Sequence, residues 1–178
     1  AVDGLYENVK IKGPRLADKK IFEAHPEFLK KSINRQRYFW RWDTEEKYQH
    51  NMRNYLRMIS GIDGAIGRVL DELKKLDMAN NTVVIYMADN GYYAASRGFA
   101  GKWSHYEESQ RVPLIIFDPR PGNGKRGRRE KQIVLNVDIA PTIVSLADGR
   151  IPDGYQGRDL RGILNSKTYG ERKGRMRS

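Results

Sequence analysis

The chain has 178 residues, 39% apolar and 31% charged, with no apolar run long enough to span a bilayer; this is a globular composition, neither membrane-spanning nor wholly disordered. It contains no cysteine, which excludes disulfides, Cys-ligated zinc and a Cys nucleophile within these residues. Lys and Arg number 33 against 22 Asp and Glu, and the net charge of +11 suits anionic partners such as nucleic acid, acidic glycans or anionic lipid.

Ala1-Val2-Asp3-Gly4-Leu5 is no signal peptide, and a first residue other than Met reads as a processed or truncated chain. Residues 1–20, with Gly4, Gly13 and Pro14, read as an extended connection. Ile21, Phe22, Phe28 and Leu29 suggest a short helix, and the cluster Tyr38-Phe39-Trp40-Arg41-Trp42 reads as core packing. Asp43-Thr44-Glu45-Glu46 is a helix start in which Asp43 caps and Glu46 reciprocates. Tyr55, Met58, Ile59, Ile62, Ile66, Leu70 and Leu73 then recur at helical spacing and predict a long amphipathic helix over 44–76. Gly61, Gly64 and Gly67 inside it point to close approach by another element, most simply a sheet. Thr82–Met87 and Val112–Phe117 are continuous apolar runs, the pattern of strands buried on both faces of a parallel sheet. Ile133-Val134-Leu135 is a third candidate strand, and Pro141 fits the first turn of a following helix. Helix, buried strand, loop and buried strand give an α/β class. The basic stretches 125–131 and 170–178 carry no interleaved aromatics and read as a solvated loop and tail; no motif supports nucleic-acid binding.

Ligands of open α/β sheets sit beyond the carboxyl ends of the strands. There the strand at 82–87 runs into Asp89 and Asn90, two hard oxygen donors suited to Ca²⁺ or Mg²⁺, followed by Gly91, whose tolerance of positive φ allows a sharp turn. Asp-Asn-Gly is also a common turn signal, and spacing alone favours the turn.

The surrounding segment changes that balance. Asp89-Asn90-Gly91, Arg97-Gly98-Phe99, Gly101-Lys102, Tyr106-Glu107 and Arg111-Val112-Pro113 follow in the order and spacing of the type I sulfatases of the alkaline phosphatase superfamily, which the chain resembles. The helix from Tyr55 to Leu76, the Asp138-Ile139-Ala140-Pro141-Thr142 helix start and the Gly157-Arg158-Asp159-Leu160 turn extend the resemblance over residues 44–166. It implies part of a three-layer α/β/α sandwich with a mostly parallel sheet. Residues 1–43 would be a connecting segment, 44–166 the C-terminal part of the catalytic domain, and 167–178 a basic flexible tail. Asp89 and Asn90 match calcium ligands, Lys102 matches a lysine that contacts the sulfate group, and His105 is a candidate substrate contact. Glu107 and Arg111 match recurring positions and are expected to form a partly buried ion pair that shapes the loop. Asp63 and Asp138 are expected to cap or pair within the scaffold. His25 and His50 lie outside the matching motifs.

The family's formylglycine nucleophile, made from a Cys/Ser-x-Pro/Ala-x-Arg motif, has no match here. Ser145-Leu146-Ala147-Asp148-Gly149 has Gly where Arg is required and is rejected. Ala94-Ala95-Ser96 also replaces the family's Leu/Met-Gly-Glu/Asp. The resemblance therefore implies a fragment of a sulfatase acting on sulfated carbohydrates, inactive alone, with Ca²⁺ (or Mg²⁺) in the whole enzyme and weak metal binding by these residues by themselves. The partner implied is a sulfate ester, with no nucleic acid and no membrane span. An exposed sheet edge invites self-association, and relatives are commonly exported or lysosomal. The alternatives are a non-catalytic sulfatase-like module that binds acidic or sulfated glycans, a phosphoryl hydrolase of the same superfamily, and a nucleic-acid-binding protein supported by charge alone.

Overall fold

A computed structural model describes residues 2–120 and 127–165. The expected tail at 167–178 and the start of the basic loop lie outside the described residues. The chain divides into two compact units, Ala1–Phe117 and Asp118–Ser178.

The first unit opens with three short helices, α1 (Lys19–Glu23), α2 (Glu27–Lys30) and α3 (Ile33–Arg41), where the sequence suggested one. The long helix α4 (Glu45–Lys75) follows, with 31 residues, as the apolar periodicity predicts. Its N-cap is Thr44 rather than Asp43: Thr44 Oγ1 accepts the Lys47 N–H at 3.2 Å, while Asp43 pairs with the Lys47 ammonium at 2.7 Å. Acidic residues fill the first turn and Lys74 and Lys75 the last, matching the helix dipole. The N-terminal segment, expected to be extended over residues 1–20, instead turns at residues 3–8 and 15–16 and enters α1 at Lys19; its first part runs along α4. Among the described residues its backbone has no strand partner there, and helix side chains satisfy it. Gln49 bonds the N–H and carbonyl of Ile11 at 2.8 and 2.6 Å, and Tyr48 donates to the Lys12 carbonyl at 2.9 Å. Arg53 and Arg57 reach the carbonyls of Val9 and Leu5.

Among the described residues the glycines of α4 meet no sheet. Among the described residues nothing lies within 4 Å of a Cβ built on Gly61 or Gly67, and Gly64 is approached only by Arg68 of its own helix.

Strands β1 (Val84–Met87) and β2 (Leu114–Phe117) pair with each other, antiparallel, in register Val84↔Phe117 to Met87↔Leu114. The apolar runs suggested parallel strands. The connection decides otherwise: Gly91 N–H donates to the Ser109 carbonyl at 2.8 Å, so the chain returns at the end where it left. A parallel return needs a crossover to the opposite end. Ile115 and Phe117 stay exposed. The run at 133–135 forms no strand; Ile133 and Leu135 are exposed.

The core of this unit lies under the loop after β1. Trp42, Tyr48, Ala95 and Ala100 form it, with Ile11, Tyr38, Met52 and Tyr92 packed against them. The aromatic cluster thus divides: Trp42 is buried, whereas Phe39 and Trp40 are exposed.

In the second unit, α5 (Ile139–Leu146) carries Pro141 in its first turn and α6 (Arg161–Asn165) closes the described chain. Asp138 is buried and accepts the N–H groups of Leu135 and Arg158, both at 2.8 Å, the scaffold role expected of it. Thr142 Oγ1 takes the Leu160 N–H at 2.9 Å. A Cβ on Gly157 would collide with the Val137 carbonyl, which explains the glycine in that turn. Ser145 is buried and bonded to Asp159, a structural serine.

Candidate functional site

β1 delivers Asp89 and Asn90 just past its carboxyl end. Asp89 Oδ1 accepts the Asn90 N–H at 2.8 Å, and Asn90 Nδ2 donates to the Gly91 carbonyl at 2.9 Å. Those bonds leave Asn90 Oδ1 facing Lys102, whose ammonium donates to it and lies 3.9 Å from Asp89 Oδ2. The two carboxamide and carboxylate oxygens therefore converge on one positive charge. The three residues singled out from the sequence are brought together. His105 is not part of this contact: it is exposed, and its Nδ1 lies 3.0 Å from Gln110 Nε2.

Gly91 is required for a reason other than the one expected. Its φ is not positive; a Cβ there would strike the Glu108 carbonyl. Left-handed backbone falls instead on Ala94, Ala95, Arg97 and Trp103, with Gly98 and Gly101. Two of these, Ala94 and Ala95, lie in the stretch where the sequence departs from the family pattern.

The loop is fixed from two sides. On one, the buried Asn34 donates from Nδ2 to the Lys102 carbonyl, and its own carbonyl takes the Ala100 N–H at 3.0 Å. A Cβ at Gly101 would stand 2.9 Å from Asn34 Oδ1, so the turn before Lys102 closes only on glycine. On the other, Glu108 accepts from Ser96 Oγ at 2.9 Å and from Arg97 Nε at 3.1 and 3.0 Å. Burial acts to raise the Glu108 carboxyl, but these bonds and its own backbone N–H outweigh burial and hold it below the usual range. This is the partly buried pair that shapes the loop. Glu107 and Arg111, expected in that role, lie 3.8 Å apart on the surface, 76% and 84% exposed.

His25 also belongs to this frame. Its ring stacks on Phe99 at 4.9 Å, and Nδ1 lies 2.7 Å from the Tyr106 hydroxyl. Burial lowers its pKa, with the Arg97 backbone acting in the opposite sense. Asn34, His25 and Glu108 escaped the sequence reading because they act through contacts 11 to 81 residues away, which no local pattern encodes.

Asp89 and Asn90 are the donor types a hard cation takes, and their convergence on Lys102 shows that both oxygens can face one cation. Two donors fall short of the roughly six to eight oxygens that Ca²⁺ takes. Among the described residues no cluster of three or more His, Cys, Asp or Glu completes a metal site.

This α/β arrangement, with site residues on a strand end and the loop behind it, has counterparts among solved proteins of alkaline-phosphatase-like fold. The phosphonate monoester hydrolase SpPMH from Silicibacter pomeroyi superposes with a TM-score of 0.82 at 25% identity, covering 97% of this chain and 35% of that one. A protein solved in complex with its substrate D-glucosamine-2-N,6-O-disulfate superposes at 0.65 and 37% identity, covering 69% and 24%. An N-acetylglucosamine-6-O-sulfatase of Bacteroides thetaiotaomicron is 38% identical over 121 residues, 68% of this chain and 21% of its own length. An arylsulfatase of Chlamydomonas reinhardtii is 39% identical over 120 residues, 62% of this chain and 18% of its own. The family model described as Sulfatase matches residues 20–149, and the chain belongs to the sulfatase family. It spans about a fifth of the length of these curated relatives. The family is generally metal-dependent.

Proposed function

We propose that this chain supplies the C-terminal portion of a sulfatase site that hydrolyses sulfate esters of carbohydrates. Asp89 and Asn90 would hold Ca²⁺, with Mg²⁺ the alternative, and Lys102 would contact the sulfate group. When bound, the metal screens the sulfate oxygens and makes the sulfur more electrophilic. Lys102 adds a second positive charge where negative charge must be held in the transition state. Asn34 and Gly101 hold the Lys102 backbone, and the Glu108–Arg97–Ser96 bonds keep the loop closed behind it. The nucleophile and the remaining metal ligands have no match in these 178 residues, so these residues alone are expected to be inactive. The observation that carries the reading is the convergence of Asp89, Asn90 and Lys102 at the end of β1 in a member of the sulfatase family. Carbohydrate is favoured as the substrate class because similar proteins are an N-acetylglucosamine-6-O-sulfatase and an endo-4-O-sulfatase. An exported or lysosomal setting is proposed on the same family grounds.

Hydrolysis of a phosphorus ester is the second reading, favoured by the extent of the match to the phosphonate monoester hydrolase. The test is to express the product of the whole gene and follow sulfate release from sulfated glucosamine beside hydrolysis of a phosphonate monoester. Metal-dependent sulfate release that falls by about 10² to 10³ in Lys102→Ala supports the sulfatase reading. A preference for the phosphonate replaces it with the second. A coding sequence without an in-frame Cys/Ser-x-Pro/Ala-x-Arg motif would sink hydrolysis by formylglycine and leave a glycan-binding scaffold.

A further inference from the structure

We propose that Trp103, backed by Arg37, is a sugar-ring subsite beside Lys102, and that it takes the pyranose of a sulfated sugar whose sulfate lies at Lys102. The proposal deepens the sulfatase reading and rests on it. Trp103 follows Lys102 directly in the chain, yet its indole is 60% exposed, while Trp42 of the same unit is buried in the core. Burying an indole is among the larger apolar gains open to a fold, so leaving one out beside a polar site calls for a reason.

Its backbone supplies one. Trp103 has φ 74°, the left-handed region that costs a non-glycine residue about 1–2 kcal/mol. The turn that imposes this conformation is clamped from α3: Asn34 holds the Lys102 carbonyl, and Gly101, at φ 83°, packs against Asn34. The same clamp that holds the Lys102 backbone thus turns the indole outward at the following residue.

Arg37, also on α3, sets its guanidinium 4.5 Å from the centre of the indole ring. That contact covers one face of the indole, orients the ring, and leaves the sugar the opposite face. An exposed aromatic surface packs against the apolar C–H face of a sugar ring, and the indole N–H can donate to a hydroxyl. A sulfate held at Lys102 would select a sulfated sugar over a neutral one.

The proposal is tested by calorimetric titration of the 178-residue chain with N-acetylglucosamine-6-sulfate, N-acetylglucosamine and inorganic sulfate. Trp103→Ala is expected to weaken the sulfated sugar by about tenfold while sulfate binding stays unchanged. Trp103→Phe, which keeps a ring, should recover most of the loss, and Arg37→Ala should weaken the sulfated sugar in the same direction. Wild-type affinity for the sulfated sugar in Trp103→Ala overturns the subsite. So does a wild-type chain that binds sulfate but gains nothing from the sugar, or one that shows no saturable binding of the sulfated sugar. Lys102→Ala is read separately: unchanged sulfate binding in that variant overturns the role of Lys102 and not the stacking of Trp103.

Discussion

Ala94 has φ 44°, where its Cβ crowds the backbone, and it lies outside the core cluster that holds Ala95. Ala94→Gly is therefore expected to stabilise the chain by about 1 kcal/mol, read as a higher urea midpoint. Gly91→Ala should do the opposite, by about 1–3 kcal/mol, because its new methyl meets a backbone carbonyl that cannot step aside. Two titrating groups lock the same loop. Glu108 has its folded pKa below the unfolded value of about 4.3, so its contribution is whole above that pH and is lost as pH falls through the folded pKa. His25, buried and facing Arg97, Lys30 and Glu108, has its folded pKa below an unfolded value of about 6.5. The folded state favours the neutral ring, and that preference is likewise lost as pH falls. Urea midpoints should decline in two stages on acidification, the first below about pH 6.5 and absent in His25→Phe, the second below about pH 4.3 and absent in Glu108→Gln. A single stage insensitive to either variant would count against both assignments.

At the level of elements, α4 has a feature that helix propensity and packing judge differently. Gly61 and Gly67 each weaken a helix by about 1 kcal/mol relative to Ala. Nothing among the described residues approaches either within 4 Å. Gly61→Ala and Gly67→Ala should each raise the thermal midpoint of this chain, with a gain near 1 kcal/mol. A loss would mean that the helix face is in contact after all. The helix itself was legible because its apolar period runs over many turns, whereas its cap was misplaced by one residue because Asp43 and Thr44 are both competent caps. Both strands were legible from their apolar runs. Their direction was not, because it depends on the Gly91–Ser109 closure, a contact between residues 18 apart. The site divides in the same way. Asp89, Asn90 and Lys102 sit in motifs with fixed spacing, and the structure brings these three together. Asn34, His25 and Glu108 hold the loop from elsewhere in the fold, and Trp103 acquires its meaning only from a backbone angle and a guanidinium on α3.

For the whole molecule, apolar exposure and net charge pull in opposite directions. A two-stranded sheet has two open edges, and this one shows Tyr86, Ile115 and Phe117 to solvent. Met58, Ile59, Ile62 and Val69 are exposed along α4. Such surfaces favour association, since each buried apolar side chain contributes about 1.5–3 kcal/mol. Against this stands a net charge of +11, whose repulsion acts between copies as they approach. Repulsion is long-ranged and screened by salt over about 8 Å at physiological ionic strength, whereas apolar contact is short-ranged and salt-tolerant. Charge should therefore win at low salt and apolar contact at high salt. Sedimentation velocity is expected to show monomer in dilute buffer and a concentration-dependent shift to larger species as salt rises. Ile115→Lys, which places a charge on the open strand β2, should suppress that shift without altering the monomer. Association that instead weakens with salt would assign it to ion pairs between copies, and the exposed sheet would have no part in it.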